Sequence, residues 1–159
     1  MLKINFPAVA VNGYNSGETD FTAAFAQACV EDPNLALTFE SNVMEPLTTA
    51  LQNADQCGYF EVIGCSDRVD TQGLSHQQRF EQEFNASRAR ALSASDAIFA
   101  MANARVGGTL GADWTEVLNV AEHFQGVGAG LLTIVAENPP ESDRRQNRGV
   151  FVSFVQYVP

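Results

Sequence analysis

Near its end the chain packs arginine and asparagine into one short run, Arg144-Arg145-Gln146-Asn147-Arg148-Gly149-Val150. That run leads directly into the β-branched and aromatic segment Phe151-Val152-Ser153-Phe154-Val155. Two polar landmarks stand earlier. Ser66-Asp67 follows the apolar run Tyr59-Phe60-Glu61-Val62-Ile63, and Ser87-Arg88-Ala89 lies on a long segment with helical spacing. Asp67 offers an acceptor for an ammonium, and Arg88 offers a planar fork for a carboxylate. Together they match the zwitterionic end of an amino acid, a binding task that needs neither a nucleophile nor a tuned base.

Each landmark has a plainer reading beside it. Aspartate past the end of a strand forms turns by bonding the backbone two residues on. Arg88 shares a helical stripe with Phe84 and Leu92, which places it toward the core, while Arg90, about 200° around the helix, is expected to face solvent. An arginine on the buried stripe needs a carboxylate or a ligand, since an unpaired buried charge is strongly unfavourable. The alternatives are a snorkelling side chain or a structural ion pair. Arg144, Asn147 and Arg148 also fit a solvated loop.

Taken in order, these landmarks resemble the OmpA-like peptidoglycan-binding domain, the C-terminal domain of outer membrane protein A and its relatives. That pattern has a strand, Thr-Asp, a helix carrying Leu-Ser-x-x-Arg-Ala, and a late Gly-Arg-x-x-Asn-Arg-Arg-Val entering the last strand. The matching positions here are Asp67, Arg88 with Ala89, and Arg144, Asn147, Arg148 and Val150. The resemblance covers residues 35–158. Departures are Asp143 for the first Gly, Gly149 for the second Arg, Phe84 for Leu and Glu81 for an Asn. The Asp67–Arg88 interval is also long, and residues 107–128 look inserted. The resemblance implies a non-catalytic cell-wall anchor that binds the diaminopimelate-containing stem peptide of peptidoglycan. Asp67, Arg88, Arg144, Asn147 and Arg148 would form the site, with no cofactor and no metal. It further implies a periplasmic domain fused to or partnered with an envelope protein. The alternatives are the same fold without its ligand, serving protein assembly, and more remotely a thiol enzyme using Cys65.

Composition sets the bounds. A chain of 159 residues, 45% of them apolar, suits one folded domain over 1–159. A formal charge of −10 disfavours nucleic acid, whose phosphates need a basic face. No segment reaches the roughly 20 apolar residues of a membrane span. The opening Met1-Leu2-Lys3-Ile4-Asn5 lacks the pattern of a signal peptide, which suggests a cytosolic protein or an excised domain; the resemblance favours the second. Cys29, Cys57 and Cys65 are odd in number and sit in apolar runs as small core residues, with a Cys57–Cys65 bridge the minor alternative.

The elements expected to position these residues are strands over residues 2–11, 35–39, 59–65, 130–135 and 150–158. Helices are expected over 20–31, 43–54, from about 78 to 104, and over 113–124. Strand 59–65 is apolar enough to be buried on both faces. The outcome is an α/β (α+β) fold: a mixed sheet with helices mainly on one face in the order β-α-β-α-β-β, preceded by an N-terminal strand–helix extension over 1–34. The glycine run 126–130 follows a helix and precedes a strand, the reverse of a phosphate-binding loop. His76 and His123 have no second ligand at metal spacing.

Overall fold

The computed structural model describes residues 2–53, 57–67, 73–108 and 140–159. The described chain is an α+β fold in which every strand pairs with the last one. Strand β1 (Leu2–Asn5) and strand β2 (Val9–Asn12) lie end to end along one edge of β4 (Gly149–Val158), and β3 (Cys57–Cys65) lies along the other. All three pairings are antiparallel. The register on the first edge shifts between Asn5↔Val155 and Val9↔Val152, so one extra residue bulges out between β1 and β2. Pro7, which has no N–H to give, sits in that break.

Alternation along the strands sets the core face. Val150, Val152 and Phe154 of β4 are buried beside Val9 and Val11 on one side and Phe60 and Val62 on the other. Glu61 and Ile63 between them are only half-buried, so β3 is covered fully on one face, not on both as its apolar content suggested. Over the core face lie α1 (Phe21–Glu31), α3 (Glu45–Gln52) and the long α4 (His76–Arg105). Asp20 caps α1 by accepting from Thr22 and Ala23 N–H, and Ser75 with Gln78 forms a capping box that starts α4. Glu141–Gln146 is a short helix, α5, leading into β4.

Residues Leu35–Phe39 are helical (α2), whereas the sequence reads as a strand there. Five residues are too few to separate the two periods. What decides is Phe39, which the helix turns inward against Phe21 and Phe25, with ring centroids 6.0 and 4.7 Å away. The helix then widens into a π-helical stretch over Glu40–Met44 before continuing as α3. Pro46 explains the widening, because it cannot bond the carbonyl four residues back. The N-terminal strand–helix unit belongs to the same sheet, through β1 and β2. The helix expected over 113–124 and the strand over 130–135 lie outside the described residues.

Helix α4 buries a stripe made mostly of small residues, Ser87, Ala91, Ala94, Ser95 and Ala102, with Arg90 and Ile98 among them. Phe84 and Leu92, the stripe expected to face the core with Arg88, are exposed instead, as is Phe80. Gly64 on β3 is the reason. A Cβ there would run into the Ser87 carbonyl and lie 2.7 Å from its carbon and 3.1 Å from Ala91 N, so helix and strand touch backbone to backbone. Only small side chains fit such an approach.

The Asp67 cavity as candidate functional site

The register of the sheet builds the site. Gly149, the first residue of β4, is paired with Cys65 on one side and Asn12 on the other. The segments just beyond those strand ends therefore meet at one rim: Gly13-Tyr14 after β2, Ser66-Asp67 after β3, and Arg148 before β4. Gly13 N–H donates to the carbonyls of Arg145 and Arg148, fixing the corner. Gly149 stands where the resemblance has a second arginine, and a Cβ here would collide with Asn12 and lie 2.7 Å from Val11 O. The strand junction itself excludes a side chain at this position.

Asp67 is 3% exposed and Arg148 1% exposed. Arg148 donates from Nε to Asp67 Oδ1 (2.8 Å) and from Nη2 to Oδ2 (3.1 Å), a two-pronged pair, while Arg144 Nε donates to the same Oδ2 at 2.7 Å. The other side of the Arg148 fork reaches Glu141 on α5. Burial alone would raise the Asp67 pKa; the hydrogen bonds from Arg148 and Arg144 outweigh it and hold the carboxyl below the ordinary aspartate value. Burial likewise would lower Arg148, but its bonds to Asp67 and Glu141 raise it.

Arg90 reverses the phase expected from sequence: it is 2% exposed, whereas Arg88 is exposed to solvent. Arg90 Nε donates to Glu18 O (3.0 Å) and Nη1 to Cys65 O (2.7 Å), with its guanidinium 5.3 Å from the centroid of the Tyr14 ring. Burial, then the nearby Arg148, lowers its pKa. Tyr14 is fully buried, and its hydroxyl has no hydrogen-bond partner among the described residues. Burial raises its pKa, opposed in part by Arg90. Arg145 points elsewhere, bonding Gly13 O and pairing with Glu31.

A cavity of about 200 Å³ opens at this rim, lined by Ser66, Asp67, Glu83, Arg90, Arg144 and Arg148 among others. Three of the chain's nine basic residues, Arg90, Arg144 and Arg148, thus line one cavity of a strongly acidic protein. Of the residues expected from sequence, Asp67, Arg144 and Arg148 come together. Arg88 does not join them in the lining, and Asn147 is half-buried and closes α5 through its backbone N–H. Arg90 and Glu141 went unassigned at the sequence level. Arg90 had a signal, the small-residue spacing Ser87, Ala91, Ala94 on which it falls; Glu141 had none.

Cys65 is free and buried. Burial raises its thiol pKa, with Arg90 pulling the other way, which is opposite to the activation a nucleophilic thiol requires. Cys57 and Cys65 begin and end the nine-residue β3, so roughly 3.3 Å of rise per residue separates them far beyond disulfide reach.

Acid should expose the Asp67 network selectively. Its folded pKa lies below the unfolded value of about 3.9, so its stabilisation is complete above that pH and is lost as pH falls through the folded value. Thermal melts stepped from neutral pH downward should show the melting temperature dropping below about pH 4. In Asp67→Asn that part of the drop should be missing. An unchanged acid profile in the variant would show that other carboxylates govern acid unfolding.

Compared with protein-family models and with curated proteins, the chain matches none.

Proposed function

We propose that this chain is a non-catalytic binding module that takes the diaminopimelate-containing peptide of peptidoglycan into the Asp67 cavity. Its place is then the periplasm, as the wall-anchoring part of an envelope protein. The observation that carries this reading is the buried arginine Arg90, which lines a small open cavity together with Asp67, Arg144 and Arg148. Buried guanidinium groups at a cavity wall favour a carboxylate-bearing ligand. The resemblance supplies the ligand's identity, and Arg90 takes the role expected of Arg88.

Pelleting with purified peptidoglycan sacculi tests it. Wild type should sediment with the sacculi, and Arg144→Gln should lose binding by about 2 kcal/mol or more, the effect of removing a charge-assisted contact. Circular dichroism on the same samples guards against loss of fold; Arg144 suits the test because it is more exposed than Arg90 and Arg148. Wild-type protein that stays in the supernatant refutes the reading.

A second reading, a module for protein assembly, is favoured by the exposed apolar row Phe80, Phe84 and Leu92 along α4, whose two phenylalanine rings stack 6.0 Å apart. Isolated surface apolar residues are ordinary, but a row of them along one helix is a contact surface in form.

A further inference from the structure

We propose that the cavity reads its ligand through a carboxylate alone, and that Asp67 positions the arginines without holding the ligand's ammonium. This rests on the reading of the cavity as the binding site and departs from the sequence expectation, in which Asp67 receives the ammonium directly. The hydrogen-bond inventory is what assigns the roles. An ionised carboxylate has about four lone-pair directions. Three are taken at Asp67: Oδ2 accepts from both Arg144 Nε and Arg148 Nη2, and Oδ1 accepts from Arg148 Nε. The residue is almost fully buried, so little of it remains for a ligand.

Donors, by contrast, are in surplus. Arg90 uses Nε and Nη1, and Arg144 uses Nε alone. Arg90 Nη2 and both terminal nitrogens of Arg144 have no acceptor among the described residues. Arg90 and Arg144 both line the cavity, and guanidinium N–H groups left over there favour an incoming acceptor. A planar carboxylate fits guanidinium edges two bonds at a time. Asp67 acts one step back: it draws Arg144 and Arg148 together and offsets their mutual repulsion, so that the free edge of Arg144 stays at the cavity wall.

The ligand class is therefore an aliphatic carboxylate, with or without amines. Calorimetry on the whole chain with three probes tests this: pimelate, which carries carboxylates only; 1,5-diaminopentane, which carries amines only; and diaminopimelate, which carries both. Pimelate and diaminopimelate should bind within about threefold of each other, and the diamine should be silent. Asp67→Asn should weaken both acids by the same factor, leaving their ratio unchanged. A direct bond from Asp67 to the ligand's ammonium would instead weaken diaminopimelate alone and change the ratio, and circular dichroism on the same sample excludes loss of fold as the cause of a common factor. Diaminopimelate binding about tenfold or more tighter than pimelate would overturn the inference, as would a change of ratio in Asp67→Asn or no binding by any probe. The sacculus assay is separate. Sedimentation with sacculi alongside a strong preference for the amino acid defeats the inference and leaves the peptidoglycan reading intact. Pimelate binding without sedimentation does the reverse.

Discussion

Arg148→Ala is expected to destabilise the fold by about 3–5 kcal/mol, the range for removing one partner of a buried ion pair. Arg148 is 1% exposed and bonds Asp67 twice, Glu141 twice and the Tyr14 carbonyl once. Without it, Asp67 remains buried with Arg144 as its only cation among these contacts, and the rim where β2, β3 and β4 meet loses its central tie. The penalty comes mainly from the stranded carboxylate, not from the intrinsic strength of the pair. Urea denaturation at neutral pH measures it, and two controls give it meaning. Glu141→Ala removes the exposed partner, so it should fall below about 1 kcal/mol. Asp67→Ala combined with Arg148→Ala should be much less harmful than the two single effects added, because the charges strand each other. An Arg148→Ala protein within about 1 kcal/mol of wild type would show that Arg144 alone satisfies Asp67.

Gly64→Ala is expected to destabilise by about 3 kcal/mol, at the upper end of overpacking effects. Most glycine-to-alanine changes in a strand are mild or favourable, since alanine loses less backbone entropy. Here the new methyl meets Ser87 and Ala91 backbone, which has no rotamer to yield, so α4 must lift off β3. The same displacement carries Arg90 away from Cys65 O, linking packing to the site. Denaturation gives the stability, and tryptic cleavage after Arg90 under native conditions reports whether the helix has separated. A folded variant with wild-type stability would mean that the helix slides along the strand at little expense.

These two positions also show where the sequence could be read and where it could not. Strands 59–65 and 150–158, the helix after Asp20 and the α4 segment were legible because alternation, capping residues and helical period agree there. Asp67 and Arg148 were legible as polar residues at strand ends. The α4 phase was not, because Phe80, Phe84 and Leu92 carry a strong hydrophobic signal yet lie outside, while the inward stripe is mostly alanine and serine, with Arg90 and Ile98. Hydrophobicity measures how much a residue gains by burial; it does not measure how close two backbones come. Gly64 holds that second piece of information, but only once its partner helix is known. Glu141 was illegible for a different reason, since its role depends on a short helix whose composition resembles any polar loop. Leu35–Phe39 failed through length alone.

The arrangement of strands around β4 has a consequence for how the protein folds. Every described pairing joins β4 to a segment far away in sequence, and Leu2 pairs with Val158. No hairpin among the described strands can form early and template the rest. The chain must hold α1, α3 and α4 with their apolar faces uncovered until the last strand arrives and is gripped from both edges at once. Such long-range closure places the domain among slow folders. Its assembly depends most on keeping one late segment available, and the polar segment of α5 and Arg148 just ahead of β4, which Asp67 captures through Arg144 and Arg148, suits that task.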